Sequence, residues 1–338
     1  MSHKLRPPKS AQKRVKQMPS FQPQIRLGLP PASGETANKI ISKIARQENF
    51  SSIDELNAHL QRLMASGELN RMIQAPPETP ADQAQELAYR AMEEPSSAKA
   101  RKLAEKALKL DPACIDALVI RAQTRRLGGS EFIAELRAAV AAGERNLGEK
   151  EFIEGRGHFW GILETRPYMR ARRELALALL GAGQLREAAD EFAAMLELNP
   201  NDNQGVRDYL LGVYLALSDL DSAASLYRQY DDDDSAVFAW GRVFLLMLSG
   251  RRAEARKALE NALRNNPWAA AFFFGERAPT DPDSWGMGDQ DEGDHAAAAL
   301  LPACAEHPDI IVWIAKEGMA VMQALMDSAP AGGPRRVH

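Results

Sequence analysis

Cysteine is scarce in this 338-residue chain, which has only Cys114 and Cys304, 190 positions apart. That excludes a disulfide framework and a clustered thiolate zinc site, and it fits a reducing compartment. Long apolar runs are lacking too. No stretch approaches the roughly 18 uninterrupted apolar residues of a membrane-spanning helix. The richest patches, Ala296–Ala303 and Ala236–Leu248, are short or are broken by Gly241 and Arg242. Residues 1–26 are basic but have no apolar centre, so they do not read as a secretory signal. These absences predict a cytoplasmic protein with no membrane contact.

Strand signals are close to absent. There is no Asn-Gly hairpin and no sustained period-two alternation. The phosphate loop, the dinucleotide glycine fingerprint and the nucleophile elbow are all missing, and nothing points to an enzyme. The histidines His3, His59, His158, His295, His307 and His338 never share a helical turn, so no metal and no cofactor are expected. Cys304 and His307 read as a buried thiol near a histidine rather than a ligand pair. The acidic runs Asp231–Asp234 and Asp281–Asp294 lack the ligand spacing of a calcium loop and read as solvated connectors.

What is present is helical pattern. Apolar residues make up 45% of the chain and charged residues 26%, ordinary values for a globular protein. The net charge of −4 hides a cancellation, because residues 1–80 carry +6 and the remainder −10. Lys4, Arg6, Lys9, Lys13, Arg14 and Lys16 precede the first acidic residue, Glu35, and are interleaved with prolines. Residues 1–34 therefore read as a flexible basic arm. Its plainer reading is a solvated tail; its functional one is phosphate contact through residues 1–30. Helical spacing follows over Glu35–Gln47 and again after Ser52, where Glu55 completes a capping box and Gly67 suits the helix end. The Pro-rich break 75–80 closes this 35–79 segment.

From residue 80 to 274 the nearly continuous helical pattern invites a search for repeats. Leu110-Asp111-Pro112, Leu198-Asn199-Pro200 and Asn265-Asn266-Pro267 are three similar endings. Counting back from Pro200 starts a unit at Met169, with Leu175 and Ala176 on its first helix, Gly183 in the turn, and Ala188, Phe192 and Met195 on its second. The unit from Ala236 offers Gly250, Ala255, Leu259 and Ala262, and that from Ala81 offers Leu87, Ala88, Ala100, Ala104 and Ala107. A unit from Gln204 matches through Leu210, Leu211, Tyr214, Ala223 and Tyr227 but has Ser235 in place of proline. A fifth, from Ala113 to Asn146, is degenerate. Small residues recur where two helices must cross closely.

On these residues, 81–274 resembles a tetratricopeptide-repeat protein. The stretches Gly157–Gly161, Glu164–Arg170 and Leu198–Gly205 are similar to an uncharacterised bacterial family of such proteins. Tyr209–Phe274 distantly resembles the C-terminal region of the suppressor-of-tumorigenicity-seven family. The resemblance implies an all-α fold, a solenoid of antiparallel helix pairs, capped by helices on either side. The final part is an acidic Gly/Pro loop over 275–294, capping helices over 295–328 and a loose tail over 329–338. The inserted segment 147–168 reads as an extension that packs Phe159, Trp160, Ile162 and Leu163, or as a pocket built from His158, Arg166 and Tyr168.

The resemblance further implies binding of a peptide or partner helix in a groove lined by first helices. Of the positions that clamp a chaperone's terminal carboxylate, only Arg170 and Arg173 suit one, which argues against that clamp. The expected groove is formed by Arg170, Arg173, Trp240 and Phe244, with His158, Arg166 and Tyr168 as its wall. A nucleic-acid regulator using the basic arm is the second reading, and an enzyme using His158 and Arg166 the third. The partner's identity and the oligomeric state are left open by the sequence.

Overall fold

The computed structural model describes residues 53–73, 77, 79–278, 280, 282 and 284–328, together with the single residue Ile44. The basic arm, with Lys4, Arg6, Lys9, Lys13, Arg14 and Lys16, lies outside the described residues, as do the tail 329–338 and most of the first expected helix. Among the described residues every regular element is a helix. None is long and apolar enough to cross a membrane.

The chain divides into two compact units. The first comprises the described residues of Ile25–Ala182 with Ala194–Gln204, and the second those of Gly183–Ala193 and Gly205–His338. The first unit contains α1 (Ile53–Ala65), α2 (Glu68–Ile73), α3 (Pro80–Glu93), α4 (Ser97–Leu110), α5 (Ile115–Thr124), α6 (Gly129–Glu154) and α7 (Arg166–Gly181). Helix α8 (Leu185–Leu198) is divided between the two. The second unit contains α9 (Val206–Ala216), α10 (Leu220–Gln229), α11 (Ala236–Leu248), α12 (Arg252–Asn265), α13 (Trp268–Phe273), α14 (Gln290–Glu306) and α15 (Pro308–Ser328).

Neighbouring helices pair. In the first unit α3 packs on α4, and α6 on α7; in the second α9 packs on α10, and α11 on α12. The α3–α4 seam is almost wholly alanine. Ala84, Ala88 and Ala91 meet Ala100, Ala104 and Ala107, all buried, with Leu87, Met92, Leu103 and Leu108 around them. Methyl side chains at a crossing let two helix backbones approach closely, and each buried apolar group adds its share of hydrophobic stabilisation. The equivalent residues of the unit from Ala236, namely Ala255, Leu259 and Ala262, are buried as well.

Two of the three repeated sequence endings adopt one geometry. Asp111 closes α4 at φ −138° and ψ 101°, and Asn266 closes α12 at φ −142° and ψ 99°. Each returns its N–H to the carbonyl four residues back, Ala107 and Ala262, at 2.9 Å. Each side-chain Oδ1 then accepts the N–H two residues on, from Ala113 at 2.9 Å and Trp268 at 3.0 Å. This is an Asx turn, which Asp and Asn can both make. Asn199 likewise returns its N–H to Met195. The interhelix turns also match. Gly183 and Gly250 both have φ 73°, and Ser218 takes φ 55° at the same place in the unit that has no glycine there. Glycine enters this left-handed region at no steric cost, whereas serine does so under strain.

Helix α14 starts at Gln290, five residues before the expected His295. Asp289 caps it by accepting the Glu292 N–H at 2.7 Å, and Asp291 and Glu292 suit the positive end of a helix. Expected as a cap, α14 instead packs along α9, α11 and α13. Two features seat it. Gly212 of α9 is so close to α14 that an added Cβ would stand 1.9 Å from the Ala299 carbonyl oxygen. The buried Glu292 carboxylate accepts N–H groups from Ala236, at the start of α11, and from Gly288, and the Nδ2 of Asn266. A buried carboxylate with three donors is satisfied without a cation.

Gly212→Ala is expected to lose about 2–3 kcal/mol or more in chemical denaturation, because backbone rather than a flexible side chain must move. Gly161→Ala, with open space around it, should be close to neutral. A Gly212→Ala protein as stable as the parent would contradict the α9–α14 contact.

Candidate binding face

In the first unit α3 packs on α5, and α5 on α7. A ladder of polar side chains joins these three. Asp116 of α5 is buried; Arg170 of α7 grips it with two bonds, from Nε at 2.9 Å and Nη2 at 2.5 Å. Gln85 of α3 donates to the same carboxylate at 2.7 Å. The Arg170 guanidinium also lies 6.0 Å from the Tyr89 ring centre. One turn further along, the Gln123 amide of α5 donates to Glu174 of α7 at 2.8 Å, and Arg173 approaches the same carboxylate at 3.6 Å. Burial raises the Glu174 carboxyl above the usual carboxylate range, opposed by the Arg173 charge and the Gln123 bond. The Cys114 thiol, near Gln85, is pushed up to about 12 by burial, so it is no nucleophile at neutral pH.

This arrangement relocates several expected site residues. Arg170 is consumed by its ion pair with Asp116 and leaves no open fork for a ligand carboxylate. Arg173 keeps 31% of its side chain exposed. Tyr168 is buried: its ring fills the space beside Gly143, where an added Cβ would come within 2.7 Å, and packs edge-on against Phe152 and Phe159. Its hydroxyl donates towards Glu144 at 3.4 Å and accepts from Arg172 at 3.2 Å.

The inserted segment is not a helix extension. Helix α6 is interrupted at Gly148, and two 3-10 turns, Phe159–Gly161 and Leu163–Thr165, precede α7. The buried Thr165 hydroxyl donates to the carbonyls of Phe159 and Ile162. Arg166 folds back on Trp160, with its Nε 2.9 Å from the Trp160 carbonyl oxygen and its charge over the ring at 5.2 Å. His158 is exposed at the start of the first turn. Arg166 and Tyr168 thus serve the packing of this segment rather than a pocket.

In the second unit Trp240 and Phe244 have no exposed surface. Trp240 stacks on Phe273 of α13 at 4.5 Å and donates its indole N–H to the Asn266 carbonyl at 3.1 Å, so it anchors the repeat ending. Phe244 lies 6.1 Å from the same ring. Both are core, because α11 turns that side towards α13.

Sequence reasoning passed over Asp116, Gln123 and the ladder itself. Asp116 sits in the degenerate unit from Ala113, where the register gave no reason to single it out. Among the described residues, no group of His, Cys, Asp and Glu is placed to hold a metal ion. No protein-family model matches the chain, and no curated protein matches it.

Two measurements check this face. Arg170→Ala should cost about 3–5 kcal/mol, because it strands the buried Asp116 charge, whereas Arg170→Met with Asp116→Leu should recover most of that loss. The raised Glu174 carboxyl favours its neutral form in the folded state. Its stabilising contribution is therefore complete below the ordinary value of 4.5 and is lost as pH rises through the folded-state value. Glu174→Gln should then be more stable than the parent at pH 7, by a margin that shrinks towards pH 4 in urea titrations. A margin independent of pH would contradict the burial of that charge.

Proposed function

We propose that the chain is a tetratricopeptide-type repeat protein that works by holding a segment of another protein against the first helices of its pairs. Support for the repeat type comes from the matching Asp111 and Asn266 endings and the matching turns at Gly183, Ser218 and Gly250. The observation that carries the binding role is α14. It lies along α9 and α11, the first helices of two successive pairs, so a face of this kind already holds a helix within this chain.

In the first unit the corresponding helices are α3, α5 and α7. The buried Asp116–Arg170 bridge fixes their spacing. Around it Tyr89, Gln123 and Arg173 are half-buried, each with a polar or aromatic group able to meet a peptide backbone or side chain. Rigid aromatic and arginine anchors of this type dominate binding energy at protein interfaces.

Panning a random twelve-residue peptide display library on the full chain tests the proposal. Enriched peptides are expected to bind Tyr89→Ala and Arg173→Glu proteins at least tenfold more weakly, with circular dichroism unchanged. Failure to enrich any peptide, or equal binding by both variants, would overturn it.

A further inference from the structure

The second unit carries a groove with its own chemistry, distinct from the first-unit face and independent of the reading above. Helix α15 packs on α12, and between them lies an open groove of about 580 Å³. Its apolar part comes from Val312 and Trp313 of α15, with Val312 43% exposed. Met319, two turns beyond Val312 on the same face of α15, is 62% exposed and extends that apolar strip.

The polar part is unevenly charged. Arg252, Arg256 and Lys316 border the groove with Asp309 and Glu317. Arg256 and Glu317 neutralise each other at 3.5 Å. Asp309 stands in the first turn of α15, where the positive helix end offsets its charge. Arg252 and Lys316 form no ion pair among the described residues and face the groove as exposed cations. A groove that combines exposed apolar surface with two cations lacking an ion-pair partner among the described residues suits a ligand that carries carboxylates beside an apolar side chain.

We propose that the α12–α15 groove is a docking site for an acidic segment of a partner protein. One large apolar side chain of the segment rests on Val312 and Trp313, and flanking carboxylates pair with Arg252 and Lys316. Charge argues against the chain's own ends as occupants. Residues 1–34 contain no acidic residue, and 329–338 contain Arg335 and Arg336 but no Asp or Glu. A second copy also offers acidic segments with an exposed apolar side chain, Ile153 between Glu149 and Glu154, and Trp285 and Met287 ahead of Asp289 and Asp291, so sedimentation is needed to tell that occupant from a partner. Partly exposed ion pairs contribute little each, so the apolar contact supplies most of the affinity and the charges supply selectivity.

The probe is a fluorescein-labelled peptide of sequence EDEFLEDE, titrated against the full chain by fluorescence anisotropy, with KKKFLKKK and EDESSEDE as controls. Saturable binding of the first peptide, weakening as salt rises and at least tenfold stronger than either control, is expected. Arg252→Glu with Lys316→Glu should abolish it, and Val312→Asp should weaken it at least tenfold. All three positions are exposed, and an unchanged circular dichroism spectrum and melting temperature confirm that the fold survives. Absence of saturable binding, equal binding of the lysine peptide, or full binding by the double variant would overturn the proposal. Sedimentation that reveals a dimer lost in the same double variant would overturn the assignment to a partner in favour of self-association.

Discussion

Close approach between helix backbones is the constraint on which everything else in this protein depends. Helices flanked by large side chains stand about 8–10 Å apart. Here the α3–α4 seam is built from six alanines, and α9 meets α14 through Gly212 and the Ala299 carbonyl. Small side chains give little burial energy apiece, so stability accumulates from the regular repetition of such contacts. The same closeness leaves no room for substitution, which is why one glycine matters more than many larger residues nearby.

Alanine seams are uniform and by themselves do not fix one alignment over another. Buried polar groups supply that. In the first unit the Asp116 carboxylate ties α3, α5 and α7 through Gln85 and Arg170. In the second, Glu292 joins the start of α11, the end of α12 and the start of α14. His295 on α14 bonds Asp208 on α9 at 2.9 Å between the rings of Tyr209 and Trp285. Such groups are costly when unpaired and cheap only in one arrangement, so each specifies which helix lies where. The cost falls on evolution's freedom too: an arginine held in a buried pair is lost to ligand recognition.

Helix content, pair boundaries and the repeated endings were all legible in the sequence, because each rests on local physics. Gly183 and Gly250 mark left-handed turns, Asp111 and Asn266 mark Asx turns, and Ala100, Ala104 and Ala107 mark a crossing. Ser218 was not legible, since serine gives no local sign of a positive φ. The destinations of Trp240, Phe244 and Arg170 were not legible. Each stands on a first helix, where spacing alone does not distinguish a groove from a core, and the choice was made by Phe273 and Asp116, residues distant in sequence. Helix α14 was visible as a helix, but its seat was not, because its alanines fit any crossing and its specificity lies in Glu292 and His295.

Helix α14 is an integral part of the second unit, packed along α9, α11 and α13. Amide hydrogen exchange followed by mass spectrometry tests it most directly, because exchange reports which segments open together. Peptides covering 290–306 should be protected to the same extent as those covering α9 and α11, and should exchange with them in one cooperative opening. Exchange of 290–306 orders of magnitude ahead of α9 and α11, with those two still protected, would contradict it.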